Sequence, residues 1–344
     1  MNRYLVMLGL CITLLLPNFA YSKGYALLIG IQDYPEKLGA LYGPHNDIAL
    51  IKNVIQEILD IQDIEVLKDA THTQIEKGIK NLSNNIGNDD FVYIHYSGHG
   101  SHYPNRNPEQ DIEISDYDQT WIPSKARAGE LAGIDDFDIL DDEINDWLQP
   151  LFNKTQHVII VSDSCHSGTA TRYAEKIVRT VSMDKRTYHP YRSKSPTSNN
   201  QGIRIGATED DKSAFERVIN EKYFSFLPFT REQYYGVFTW FWAKALKEYK
   251  PLKESSYKDP HYWYTVFDNA YESTKKYNGQ HPHLDQPPYL YFVSLELDRK
   301  NRCKTVKNYD SFDKLQKDLF EKVMGERVCI KLPNSSQVFH PSPP

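Results

Sequence analysis

Two short segments of this chain set reactive side chains among glycines and serines: Tyr96-Ser-Gly-His-Gly100 and Asp163-Ser-Cys-His-Ser-Gly168. Each begins where a β-rich apolar run, Phe91–Tyr96 or His157–Ser162, gives out into small residues. A thiolate attacks a carbonyl carbon once a base takes its proton, which makes Cys165 a candidate nucleophile and His99 its candidate base. Glycines on both sides of His99 let the backbone pass close to a substrate. The N–H groups of Gly100 and Cys165 can then hold the oxyanion of a tetrahedral intermediate. The plainer readings are a small buried hydrophobe for the cysteine and a structural role for the histidine. His95, His102 and His166 add metal-binding side chains, but on a strand and its exit, without a standard zinc spacing.

A second concentration of chemistry is acidic. Asp111, Glu113, Asp116, Asp118, Asp135, Asp136, Asp138, Asp141 and Asp142 crowd one stretch. Hard oxygen ligands at that density suit calcium. No EF-hand loop is formed, because the turn glycine is missing, and a solvated acidic surface is the competing reading.

The elements that must position these groups alternate between strand and helix patterns, which predicts an α/β fold around a largely parallel sheet. The strands read as Tyr25–Ile31, Ile64–Lys68, Phe91–Tyr96, His157–Ser162, Ile203–Ala207 and Tyr289–Leu295. Helices read as Asn46–Leu59, Thr73–Ile86, Asp142–Leu148, Val237–Tyr249 and His261–Tyr277. In such a sheet the carboxyl ends of adjacent strands gather catalytic groups. Between Thr169 and Gln201 the periodicity dissolves into Ser, Thr, Asn and basic residues, a mobile loop by composition. Beyond Arg299 a small appendage carries one helix, capped by Asp310 and stopped by Gly325, and a Pro-rich tail.

The chain has 344 residues, 40% apolar and 25% charged, enough for one large domain with an appendage. A net charge of -6 leaves no basic field, so nucleic acid is not an expected partner. Met1–Arg3 forms a positive head, Tyr4–Leu16 an apolar run, and Ala20 and Ser22 a small-residue exit, together a cleavable signal peptide over 1–22. The expectation is therefore export to the periplasm or beyond the cell, with no stable membrane insertion after the leader is removed, and action as a monomer. Removing the leader takes Cys11 with it. Cys303 and Cys329 flank the appended helix and can pair in an oxidising compartment, leaving Cys165 free.

With these segments in this order, the chain resembles the caspase-like cysteine peptidases, and among them the calcium-dependent metacaspases. The resemblance runs from about Lys23 to Leu295. It adds Ala26-Leu-Leu-Ile-Gly-Ile31, Gly43-Pro-His-Asn-Asp47, Tyr117-Asp-Gln-Thr-Trp-Ile-Pro123 and Ile139-Leu-Asp-Asp-Glu143 to the two segments above. It implies a caspase-like three-layer sandwich over 23–298, a mostly parallel six-stranded sheet with helices on both faces, followed by the appendage at 299–344. It also implies a cysteine endopeptidase with Cys165 and His99 as its dyad and no cofactor required for the chemistry. Asp47, Ser97 and Asp163 match the positions that line the pocket for the residue before the scissile bond. Two carboxylates there favour a cation, so the expected substrates are proteins or peptides with Arg or Lys at that position. Asp118, Asp141 and Asp142 match calcium ligands, but Arg172 stands where the family has a fourth acid. Cleavage within the loop at about 169–201 is implied too, with Lys185-Arg186 and Arg179 as the preferred sites. The alternative is a catalytically idle binding or scaffold protein on the same fold.

Overall fold

The computed structural model describes residues 22–104, 117–165, 177–191, 202–208, 213–219, 233–251 and 256–285, and three short strands beyond them. In chain order, β1 is Gly24–Gly30, α1 Pro44–Ile58, β2 Asp63–Lys68, α2 His72–Asn85 and β3 Phe91–Ser97. Next come β4 Gly100–Pro104, β5 Tyr117–Trp121, β6 Ile139–Leu140, α3 Asp141–Phe152 and β7 Val158–Asp163. Then follow β8 Ile177–Val178, β9 Ile203–Gly206, β10 Phe215–Ile219, β11 Gln233–Gly236, α4 Val237–Glu248, α5 Pro260–Asn278 and β12 His283–Asp285.

The main sheet runs β12-β9-β7-β3-β1-β2. Every pair in it is parallel except β12 with β9. Successive side chains of a strand face opposite sides, and both sides of this sheet are apolar. Ala26 and Leu28 of β1 meet Ile48, Ile51 and Ile55 of α1, Trp242 of α4 and Trp263 of α5. Leu27 and Ile29 meet Ile75 and Ile79 of α2 and Trp147 and Leu148 of α3. The result is the expected α/β sandwich, with helices covering both faces. Each buried Leu or Ile among these contributes about 1.5–3 kcal/mol. Among the described residues no helix is long and apolar enough to cross a membrane.

The expected strand Tyr289–Leu295 lies outside the described residues; among those described, the sheet's outermost strand beside β9 is β12, antiparallel to it. Three residues, two of them polar, leave no periodic signal to read. Within the stretch 169–201, where composition predicts a mobile loop, Ile177–Val178 forms β8 and pairs with β10. The leader 1–21, the acids Asp111, Glu113 and Asp116, the loop residues Arg172 and Lys176, the appended helix and Cys303 lie outside the described residues. For Cys329 only the backbone is described, in a strand paired with Val306–Asn308. The expected Cys303–Cys329 disulfide therefore lies outside the described residues.

Candidate active site

The register of the two central strands puts the reactive segments side by side. Ser97 at the end of β3 pairs with Asp163 at the end of β7. His99 and Cys165 therefore each stand two residues beyond adjacent strand ends. The His99 peptide is pinned: its N–H donates to the Tyr34 hydroxyl at 2.8 Å, and its carbonyl accepts from Tyr96 Oη at 2.7 Å and Ile122 N at 3.1 Å. Its ring Nε2 lies 2.9 Å from the Gly39 carbonyl, which can only accept, so the proton sits on Nε2. Nδ1 is the bare, basic nitrogen, buried and without a hydrogen-bond partner. Burial, helped by the nearby Arg179 cation, lowers His99 to about 4.

Cys165 is fully buried. Its Sγ–H donates to the Ala214 carbonyl at 3.2 Å, and Ala214 N donates back to Sγ. Burial first, and then the Asp163 carboxylate, push the thiol up to about 12. The pair thus rests as neutral thiol and neutral imidazole, with no hydrogen bond between them in this state. Contacts of that kind often tighten only when chemistry begins.

What fills the space between these groups is the chain's own Arg179. Its carbonyl oxygen accepts from Gly100 N at 3.0 Å and Cys165 N at 3.2 Å. Its N–H donates to the Ala214 carbonyl at 3.0 Å. Its side chain, wholly buried, runs down between α1, β3, β7 and β10. There Nη2 meets Asp47 at 2.6 Å and Glu216 at 3.3 Å, and Nη1 meets Ser97 Oγ at 2.8 Å and Asp163 Oδ2 at 3.3 Å. Burial opposes this charge, but Asp163, Asp47 and Glu216 outweigh it and hold the guanidinium protonated.

Each wall of the pocket has a local cause. Asp47 sits in the first turn of α1, yet its carboxylate does not cap that helix. It accepts from Ser97 Oγ at 2.7 Å and from Gly236 N at 2.9 Å. Burial pushes it up to about 6, against the pull of Arg179. Asp163 Oδ2 is oriented by Thr239, whose N and Oγ1 donate to it at 2.9 and 2.6 Å. Two glycines are dictated by close approach. A Cβ on Gly236 would stand 2.1 Å from Asp163 Oδ2, and one on Gly100 would stand 2.1 Å from the Cys165 carbonyl oxygen.

Sequence reading missed Glu216, which braces the pocket by accepting from Tyr42 N at 2.8 Å and Gly43 N at 3.0 Å. The available signal was an acid inside the strand pattern Phe215-Glu-Arg-Val-Ile219, at a position that is fully buried. Ala214, which grips both Cys165 and Arg179, carries no signal at all.

Of the expected calcium ligands, Asp118 lies on β5 and Asp141 and Asp142 open α3. Burial, then Asp118 and Asp142, raise Asp141 well above the carboxylate range, so the three are close enough to repel. Among the described residues, however, no group of three or more His, Cys, Asp or Glu side chains is arranged to hold a metal ion. A calcium site is therefore not shown among the described residues.

A parallel sheet flanked by helices, with His and Cys leaving adjacent central strands and an acidic pocket beside them, defines the scaffold of a caspase-type peptidase. The chain belongs to the caspase domain family, peptidase family C14, whose sequence profile matches residues 23–262. It is similar to "Metacaspase III c" of Phaeodactylum tricornutum, 30% identical over 163 residues, 45% of this chain and 46% of that protein. It is likewise similar to "Metacaspase-7" of Arabidopsis thaliana, 32% identical over 152 residues, 42% of this chain and 34% of that one. "Metacaspase-1" of Pyricularia oryzae is 29% identical over 166 residues, 44% of this chain and 39% of that protein. The chain thus matches less than half the length of these relatives.

Proposed function

We propose that this protein is a cysteine endopeptidase that cuts after Arg or Lys, with Cys165 as nucleophile and His99 as general base, and that it cuts its own Arg179–Thr180 bond. One observation carries the reading. The Arg179 carbonyl lies between two backbone N–H donors while its guanidinium fills a pocket with three carboxylates. That is how a peptidase holds the residue before a scissile bond.

In the reaction, His99 Nδ1 takes the Cys165 proton and Sγ attacks the Arg179 carbonyl carbon. The Gly100 and Cys165 N–H groups hold the oxyanion, and a preorganised donor of this kind is worth about 3–4 kcal/mol. The C–N bond then breaks as the imidazolium returns its proton to the Thr180 nitrogen, leaving a thioester on Cys165. Water, activated by His99, hydrolyses the thioester to give a free Arg179 carboxylate and restore the thiol. Every step uses side chains of this chain. The apolar leader supports export to the periplasm or the extracellular space, and we propose that the mature protein acts there as a monomer.

The test is a pair of fluorogenic peptides, one ending in Arg and one in Asp. Turnover of the first alone, abolished by C165A and by H99A, supports the reading. No turnover of either peptide and no self-cleavage would leave an idle caspase-fold scaffold.

A further inference from the structure

Past Arg179 the chain stays bound to the body of the protein. Thr180 bridges to Gly100, and Val181 N donates to the Gly100 carbonyl at 3.1 Å. Ser101 Oγ donates to the carbonyls of Val181 and Ser182 at 3.1 and 3.2 Å. Arg127, locked to the buried Asp138, donates Nη1 to the Ser182 carbonyl at 2.6 Å. The track ends at Arg186. Its Nη1 meets Asp136 Oδ2 at 2.7 Å, its Nη2 donates to the Asp136 carbonyl at 2.9 Å, and its guanidinium lies 4.0 Å from the Phe137 ring centre. Asp184 braces the same side chain from within the segment, accepting from Arg186 Nε at 2.8 Å. Tyr103 Oη donates to the Arg186 carbonyl. Asp136 is itself held in place, its Oδ1 accepting from Gly129 N at 2.8 Å.

The loop from Thr169 to Gln201 offers seven cations, Arg172, Lys176, Arg179, Lys185, Arg186, Arg192 and Lys194. One acidic pocket cannot choose among them by charge alone. We propose that Asp136 and Phe137 form a second subsite, for an arginine seven residues beyond the scissile bond, and that Arg186 seated there sets Arg179 over Cys165. Two-point attachment raises the effective concentration of one register over its competitors. The site calls for arginine, because only a planar fork can bond a carboxylate and a carbonyl together while lying over an aromatic face. The inference rests on the Arg179–Thr180 bond being a substrate of Cys165. Arg186 is accordingly a positioning residue, remote from the reacting atoms.

The experiment follows self-cleavage of the full chain over time, with the new N-termini identified by mass spectrometry. R186A should slow the cut after Arg179 roughly tenfold and spread cuts to other basic residues of the loop. D136N should do the same. The double variant should be no worse than either single one, because both remove one contact. R186K should restore only part of the register. Melting temperatures of the variants separate this from a general loss of stability: a uniformly slower reaction with Thr180 still the sole new N-terminus overturns the inference. So does an R186A chain cut after Arg179 at the original rate, which leaves the proposed function standing. A wild-type chain never cut after Arg179 overturns the proposed function and this inference with it.

Discussion

Replacing Arg179 by Ala in a chain that cannot cut itself isolates what the buried guanidinium contributes to the fold. The comparison is C165A against C165A/R179A, so that both proteins stay covalently intact. In the parent, one cation meets Asp47, Asp163, Glu216 and Ser97 in a site closed to solvent. Removing it strands three carboxylates, and breaking a buried ion cluster from one side costs about 3–5 kcal/mol. Water entering the vacated space favours the lower figure. For a domain of this size each kcal/mol moves Tm by roughly 2–4 °C, so a drop of about 6–20 °C is expected at pH 7.5. The pH dependence has a definite sign. Carboxyls whose folded pKa is raised are tolerated below their unfolded pKa, near 4, and cost stability as pH rises through the folded value. Burial already holds Asp47 at about 6 and raises Glu216 even with Arg179 present, and losing the cation raises both further. At pH 4.5, moreover, the parent carries a buried cation whose partner Asp47, at about 6, is largely protonated. Both effects narrow the gap between the two proteins on acidification. Calorimetry at pH 7.5 and 4.5 reads this directly. A Tm difference within about 1 °C at both values would refute the placement of Arg179 in the pocket.

D163N should lower kcat/KM for an Arg peptide by about 2–5 kcal/mol, because a substrate cation is left poorly paired beside Thr239; a peptide assay with unchanged kcat/KM contradicts it. Before cleavage Cys165 should resist alkylation. With the thiol at about 12, its thiolate fraction at pH 8 is roughly 10³-fold below that of a free cysteine, so iodoacetamide should label H99A slowly. Labelling at a free-thiol rate argues against the closed state. For metal, self-cleavage in chelator should proceed at close to the rate seen in millimolar calcium, since by the resemblance Arg172 puts a cation where the family has its fourth acid. Dependence on added calcium would contradict that substitution of charge.

Much of the scaffold was legible because it is written in period. The β-rich runs ending at Tyr96 and Ser162 gave two central strands, and small residues after each marked where chemistry could stand. Parallel register then did what spacing alone could not, bringing Ser97 opposite Asp163 and so His99 near Cys165. Asp47 shows the limit of local reading. The resemblance placed it in the pocket beside Ser97, but its bonds to Gly236 and Arg179, far along the chain, come only from tertiary packing. Glu216 and Ala214 arrive on β10 and just before it, far along the chain and with no motif around them. Among the loop's seven cations, Arg179 was one of two preferred cleavage sites, beside Lys185-Arg186. Its selection depends on a carbonyl held by two N–H groups and a side chain matched to three acids, geometry that a polar, aperiodic stretch does not encode locally.

The most direct measurement is the mass of the fragments that purified wild-type protein makes of itself, beside C165A under the same conditions. The expected result is two fragments from the wild type, one ending at Arg179 and one beginning at Thr180, and an intact C165A chain. A first cut elsewhere in the loop, or equal cutting of C165A, would contradict the claim that Cys165 acts on the Arg179–Thr180 bond it holds.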